Sequence, residues 1–217
     1  MAMIRNIVFD FDGTLADTSK LIVGTMQKSI AEFGLPHKTE EELKAVIGIR
    51  LEEIPSHLWP ELNDLGERFA ANYRKNFEIL KEEIPVTLFP GVKETLDELK
   101  RSGYRLTIAT SRSHHSVEKL SKQLGIYEVF DYLLGGDDVL KGKPDPESIH
   151  HIAEELNLRL QETMMVGDMP VDIIMGKNAG ISTCGVNYGN SSDKDLKEAG
   201  ADYMIDAFPA LLNILTR

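Results

Sequence analysis

Positive charge is in short supply. The 217-residue chain has 24 Lys and Arg against 35 Asp and Glu, a net charge of −11. A surface field of that sign repels nucleic acid and anionic membranes, so neither is an expected partner. It also repels phosphate, so a phosphate site would need local cations or a metal. Cysteine is nearly missing: Cys184 stands alone. No internal disulfide can form, which fits a reducing compartment. No apolar run approaches the ~20 residues of a membrane span. The opening MAMIRNIVFDFDG has too short an apolar stretch for a secretory signal, and Asp10 breaks it. A cytoplasmic protein is expected. Repeats and low-complexity tracts are also lacking.

What is present is an ordinary folded composition, with 42% hydrophobic and 27% charged residues. Long disorder is excluded on that basis. The length suits one domain plus an insertion. Residues 4–9 read as a buried strand, β-branched and halted by Asp and Gly. From residue 18 to 33 the period changes: Leu21, Ile22, Met26, Ile30 and Phe33 mark one helix face. Thr39 and Glu42 form a capping-box pattern at the start of the next helix. A short helix broken at Pro55 and a longer one over 61–80 follow, the latter striped by Leu65, Phe69, Tyr73 and Phe77.

After residue 89 helices and strands alternate. Helices are expected at 92–101, 113–124, 146–156 and 171–178. Strands are expected at 104–109, 132–134, 163–166, 183–186 and 203–205. Strands separated by helices of this length imply a parallel sheet covered on both faces. The fold class is therefore α/β: a parallel sheet with helices on both faces, carrying an inserted all-helical segment at 17–84.

In such a sheet, functional groups collect beyond the carboxyl ends of the strands. Those ends supply Asp10 and Asp12, then Thr110 and Ser111, then Lys143 in KGKPDP, then Asp168 with Asp172 behind it. Carboxylates, a hydroxyl and a lysine on one rim suit a divalent metal and a phosphoryl group. Mg²⁺ favours a few carboxylates completed by water and phosphate oxygens. Lys141 rivals Lys143, but the spacing to Pro144 favours Lys143. Asp172 also fits as a first-turn helix residue. The pairs His114–His115 and His150–His151 are adjacent on helices and cannot share a face, so they read as solvated. Trp59 reads as packing and Cys184 as core.

The set DFDGT, TS, KGKP and GDMPVD, in that order, resembles the four motifs of the haloacid dehalogenase-like superfamily. The resemblance implies a Rossmann-like core of residues 1–16 and 85–217, and the helical insertion, residues 17–84, resembles the all-α cap of its phosphoglycolate phosphatase and β-phosphoglucomutase branch. The resemblance implies a Mg²⁺-dependent phosphatase acting on a small phosphorylated metabolite, phosphoglycolate-like. It implies Asp10 as nucleophile, forming an aspartyl-phosphate, and Asp12 as acid and base. Thr110 and Ser111 would bind phosphoryl oxygens, and Lys143 would neutralise the transferring group. Asp10, Asp168 and the Asp12 backbone carbonyl would hold the metal, with Asp172 orienting Lys143 or a metal-bound water.

Substrate choice in this branch lies largely in the cap, hinged near residues 13–18 and 85–89. Arg50 and Arg112 are candidate substrate contacts; for Arg50 the alternative is an exposed helix-start arginine. The presence of Asp12 disfavours dehalogenation, and Gly13-Thr14 differs from the DGV usual in the mutases. No feature marks Lys20 or Lys44 for a Schiff base. A sugar phosphomutase or an inorganic pyrophosphatase on the same core is the alternative. The intact acidic set argues against an idle binding module.

Overall fold

The computed structural model describes residues 3–62 and 64–215. Strand β1 (Asn6–Phe9) is buried throughout. Its side chains alternate between two cores: Ile7 and Phe9 enter the larger, and Val8 the smaller. A strand covered on both faces needs no polar alternation, which explains its continuous apolar run. After a tight turn, β2 (Ala16–Asp17) pairs antiparallel with β3 (Thr87–Leu88). This short ribbon joins the two ends of the helical insertion.

The insertion holds α1 (Ser19–Glu32), α2 (Glu40–Lys44), α3 (Ile54–Leu58) and α4 (Gly66–Leu80). The capping box at α2 forms as expected, Thr39 accepting from Glu42 N–H and Glu42 accepting from Thr39 N–H. Two expectations need correction. Pro55 lies in the first turn of α3 and starts that helix rather than breaking it, because its missing N–H is not needed there. The helix expected over 61–80 begins at Gly66, and Asn63 within that span lies outside the described residues. Phe69, Tyr73 and Phe77 keep the buried stripe, while Leu65 falls before the helix. Buried Asn76 ties α4 to α1, donating to Ser29 Oγ at 3.1 Å and Glu32 Oε2 at 3.0 Å.

The rest alternates: α5 (Val92–Arg101), β4 (Arg105–Ala109), α6 (His114–Gln123), β5 (Tyr132–Leu134), α7 (Glu147–Glu155), β6 (Thr163–Gly167), α8 (Pro170–Asn178), β7 (Ser182–Val186), α9 (Asp193–Glu198), β8 (Tyr203–Ile205) and α10 (Leu211–Leu215). Strand order is β5-β4-β1-β6-β7-β8, with every pair parallel. The chain builds outward from β1 on one side, then returns to build on the other. The switch point therefore falls at the carboxyl end of β1, where this class of sheet opens a crevice. Leu96, Leu99 and Leu211 cover one face; Ile149, Ile152 and Met175 cover the other. Among the described residues, no helix is long and apolar enough to cross a membrane.

Candidate active site

Asp10 extends β1, its N–H donating to Val166 O at 2.9 Å. The chain then turns sharply, with Leu15 and Ala16 both donating to Phe11 O. This turn sends the two aspartates to different partners. Asp10 Oδ1 accepts from Lys143 Nζ at 2.5 Å, and the same ammonium donates to Asp172 Oδ1 at 2.7 Å. Asp12 instead accepts from Thr18 Oγ1 at 2.6 Å and from Arg112 Nε and Nη2 at 2.7 Å each. The Arg112 guanidinium lies over the Phe77 ring, 4.9 Å from its centroid.

Asp168 follows β6 and is wholly buried. It accepts from Asn190 N–H at 2.7 Å, Asn190 Nδ2 at 2.8 Å and Thr14 Oγ1 at 3.3 Å. Asp172 serves twice: its Oδ2 accepts from Met169 N–H at 3.0 Å at the start of α8, and its Oδ1 holds Lys143. Asp172 is thus at once a first-turn residue of α8 and a partner of Lys143. Lys141 is exposed and pairs with Asp145, while Lys143 is buried in the acidic cluster.

Burial is the main electrostatic force here. It pushes the Asp10 carboxyl well above its usual range; Lys143 opposes this, and the other aspartates reinforce it. Burial also pushes Asp168 up to about 7, with repulsion from Asp172 added and the Asn190 bonds opposed. Desolvation works against the Lys143 ammonium, but Asp10 and Asp172 outweigh it and hold its pKa up. One ammonium among three buried carboxylates leaves excess negative charge in a dry setting. Asp10, Asp168 and Asp172 each present an oxygen within 4.8 Å of the others. An all-oxygen cluster of this kind suits a hard divalent cation.

Thr110 follows β4, its N–H donating to Leu134 O and its Oγ1 accepting from Arg112 N–H at 3.2 Å. Ser111 Oγ donates to Gly48 O of the helical insertion at 2.5 Å. A cavity of about 410 Å³ opens above these residues and is lined by Asp10, Asp12, Thr110, Ser111 and Arg112. Arg50 points elsewhere. Its guanidinium donates to the carbonyls of Gly136, Val139 and Leu140, and the cavity wall is made by its neighbours Ile49 and Leu51.

The profile of the haloacid dehalogenase-like hydrolases matches residues 7–186. The chain belongs to that family. It is 34% identical to "Probable phosphatase IndB" of Dickeya dadantii, over 93% of this chain and 89% of that one. It is 35% identical to pyrophosphatase PpaX of Bacillus velezensis, over 97% and 96%. A solved structure of a predicted phosphoglycolate phosphatase from Haemophilus somnus superposes with a TM-score of 0.85 at 26% identity, covering all of both chains. Within the haloacid dehalogenase-like hydrolases this chain is an enzyme of the phosphatase type.

Four supporting residues escaped the sequence reading. Thr14 and Thr18 lie inside the DGTLADT stretch but carry no periodic signal of their own. Tyr188, whose hydroxyl donates to Thr14 O at 2.9 Å, and Asn190 lie in a polar segment that reads as surface loop. Only the tertiary fold brings that segment to Asp168.

Proposed function

We propose that the protein is a Mg²⁺-dependent phosphomonoesterase working through an aspartyl-phosphate on Asp10. The observation that carries this reading is the Lys143 ammonium bridging Asp10 and Asp172, buried beside Asp168 at the sheet's switch point. The Asp10 carboxylate, kept ionised by Lys143 and the charge neutralisation a bound cation would add against the push of burial, attacks phosphorus as the bond to the leaving oxygen breaks. Asp12 gives that oxygen a proton, then takes one from the water that cleaves the Asp10–phosphorus bond. Asp10 and Asp12 both border the cavity, which suits groups that meet substrate. Lys143 offsets charge on the nucleophile and the transferring group, and Asp172 positions it. Thr110 and the Ser111 N–H bind phosphoryl oxygens. Asp10, Asp168 and the Asp12 backbone carbonyl would hold Mg²⁺, which supplies charge neutralisation and alignment of the phosphate. Residues 17–84 act as a cap over the core of residues 1–16 and 85–217, closing over the substrate.

Asp10→Asn should lower phosphate release from acetyl phosphate by about three orders of magnitude or more while leaving the fold intact, as befits loss of a nucleophile. EDTA should stop the wild-type enzyme and Mg²⁺ should restore it. Activity surviving the Asp10 change would remove the covalent role, and indifference to EDTA would remove the metal.

A further inference from the structure

The walls of the cavity above Asp10 do not match the small dianions suggested by the family resemblance. Ile22 and Met26 of α1, Ile47, Ile54, and Tyr73 and Phe77 of α4 form the cap side. A volume of about 410 Å³ is on the scale that encloses a drug-sized ligand, far beyond a two-carbon glycolate. Charge complementarity to a second anionic group is weak as well. Among the described residues lining the cavity, each Arg and Lys lies against a carboxylate, although Lys81 and Lys119 share one. Arg112 is paired with Asp12, Arg74 with Glu52, and Lys81 and Lys119 with Glu78. Arg50, the other candidate for a substrate carboxylate, is spent on core carbonyls. Deep against the Ile47, Ile54, Tyr73 and Phe77 side chains a glycolate carboxylate or a second phosphate would meet hydrocarbon, with the partly exposed Lys81–Glu78–Lys119 cluster the one surplus of positive charge among the described lining residues, a costly arrangement.

Resting on the phosphomonoesterase reading, we infer that the substrate is a phosphomonoester whose uncharged leaving group carries an aromatic ring. The phosphoryl group sits at Asp10. The ring lies between the apolar loop around Ile47 and Ile49 and the Tyr73 and Phe77 rings, where aromatic contact adds to area burial. Ile49 and Leu51, which line the cavity and are only half-buried, are the specificity-determining positions.

The test compares kcat/KM, in Mg²⁺, for 3-phenylpropyl phosphate, n-propyl phosphate and 2-phosphoglycolate. All three leave as aliphatic alcohols protonated by Asp12, so ring burial dominates the first comparison. Phenylpropyl phosphate should exceed propyl phosphate by at least about tenfold, as apolar pockets discriminate. Phosphoglycolate should fall below both. Ile49→Arg should reverse the order, favouring phosphoglycolate. If that variant does not fold, Ile49→Ala should narrow the phenylpropyl preference. Equal rates for phenylpropyl and propyl phosphates, or phosphoglycolate as the best of the three, would overturn the inference. Acetyl phosphate separates the two levels. Its hydrolysis by wild type and not by Asp10→Asn keeps the phosphatase reading whatever the panel gives. No hydrolysis of acetyl phosphate or of the panel overturns that reading and this inference together.

Discussion

At Gly13 a side chain has nowhere to go. Its φ is +84°, and a Cβ there would stand 2.2 Å from Asp168 Oδ2 and 2.3 Å from Asn190 Nδ2. The glycine lets the turn after β1 close onto the acidic cluster. Gly13→Ala should therefore displace the Asp168 carboxylate and cut phosphate release by about a hundredfold, the scale of a 1 Å misplacement. Gly34 is the control. Its φ is +63° with no neighbour within 4 Å of a Cβ, so Gly34→Ala should cost only about 1–2 kcal/mol of backbone strain. Phosphate release and urea unfolding of the two variants separate site displacement from strain. Comparable activity loss in both would mean the close approach at Gly13 does not matter. The same turn explains how neighbouring aspartates avoid each other. Lys143 takes one and Arg112 the other, so their repulsion is met by two separate cations.

At the level of elements, apolar periodicity located most of the strands and helices because burial on a sheet or helix face enforces it. The short strands Tyr132–Leu134 and Tyr203–Ile205 have the bounds that the sequence suggests. What escaped had no such pattern. The ribbon of β2 and β3 is two residues per strand and pairs across some seventy residues of chain. The start of α4 is set by tertiary contact, with Gly66 pressed against Glu52 O. At the site, the charged strand-end residues stood out, whereas Asn190 is invisible until the fold is known. Strand β7 shows how far burial alone can be read. Cys184, within it, is fully buried, and burial pushes its thiol up to about 12. The reactive form is the thiolate, so a raised pKa means less reaction at any pH below it. At pH 8 about one thiol in ten thousand is ionised, and that one is enclosed. Ellman's reagent should leave the native protein unlabelled from pH 7 to 9 and label one thiol per chain in urea. Prompt native labelling would mean that β7 opens.

For the molecule as a whole, the question is what holds the helical insertion against the sheet domain. Covalently they share only the two crossings near β2 and β3. Across the gap, Arg50 donates three hydrogen bonds at 2.6–3.0 Å to carbonyls of the segment 136–140, and Ser111 donates one to Gly48 O. These contacts come from the loop that also walls the cavity, so the seating of the insertion on the sheet and the shape of the cavity depend on one segment. A guanidinium can serve three carbonyls at once because its donors diverge in one plane, a geometry that an ammonium does not reproduce. Hydrogen bonds to a charged group contribute about 1.5–3 kcal/mol each where they are well made. Losing this set should raise the population of the open arrangement at least about tenfold, since 1.4 kcal/mol is a factor of ten. Arg50→Ala should accordingly speed amide exchange in segments 46–54 and 136–140 by that factor, leaving β1, β4 and β6 unchanged. Arg50→Lys should recover only part of the protection. Exchange that stays at the wild-type rate in both segments would show that the shared apolar core, and not the arginine, keeps the two parts closed.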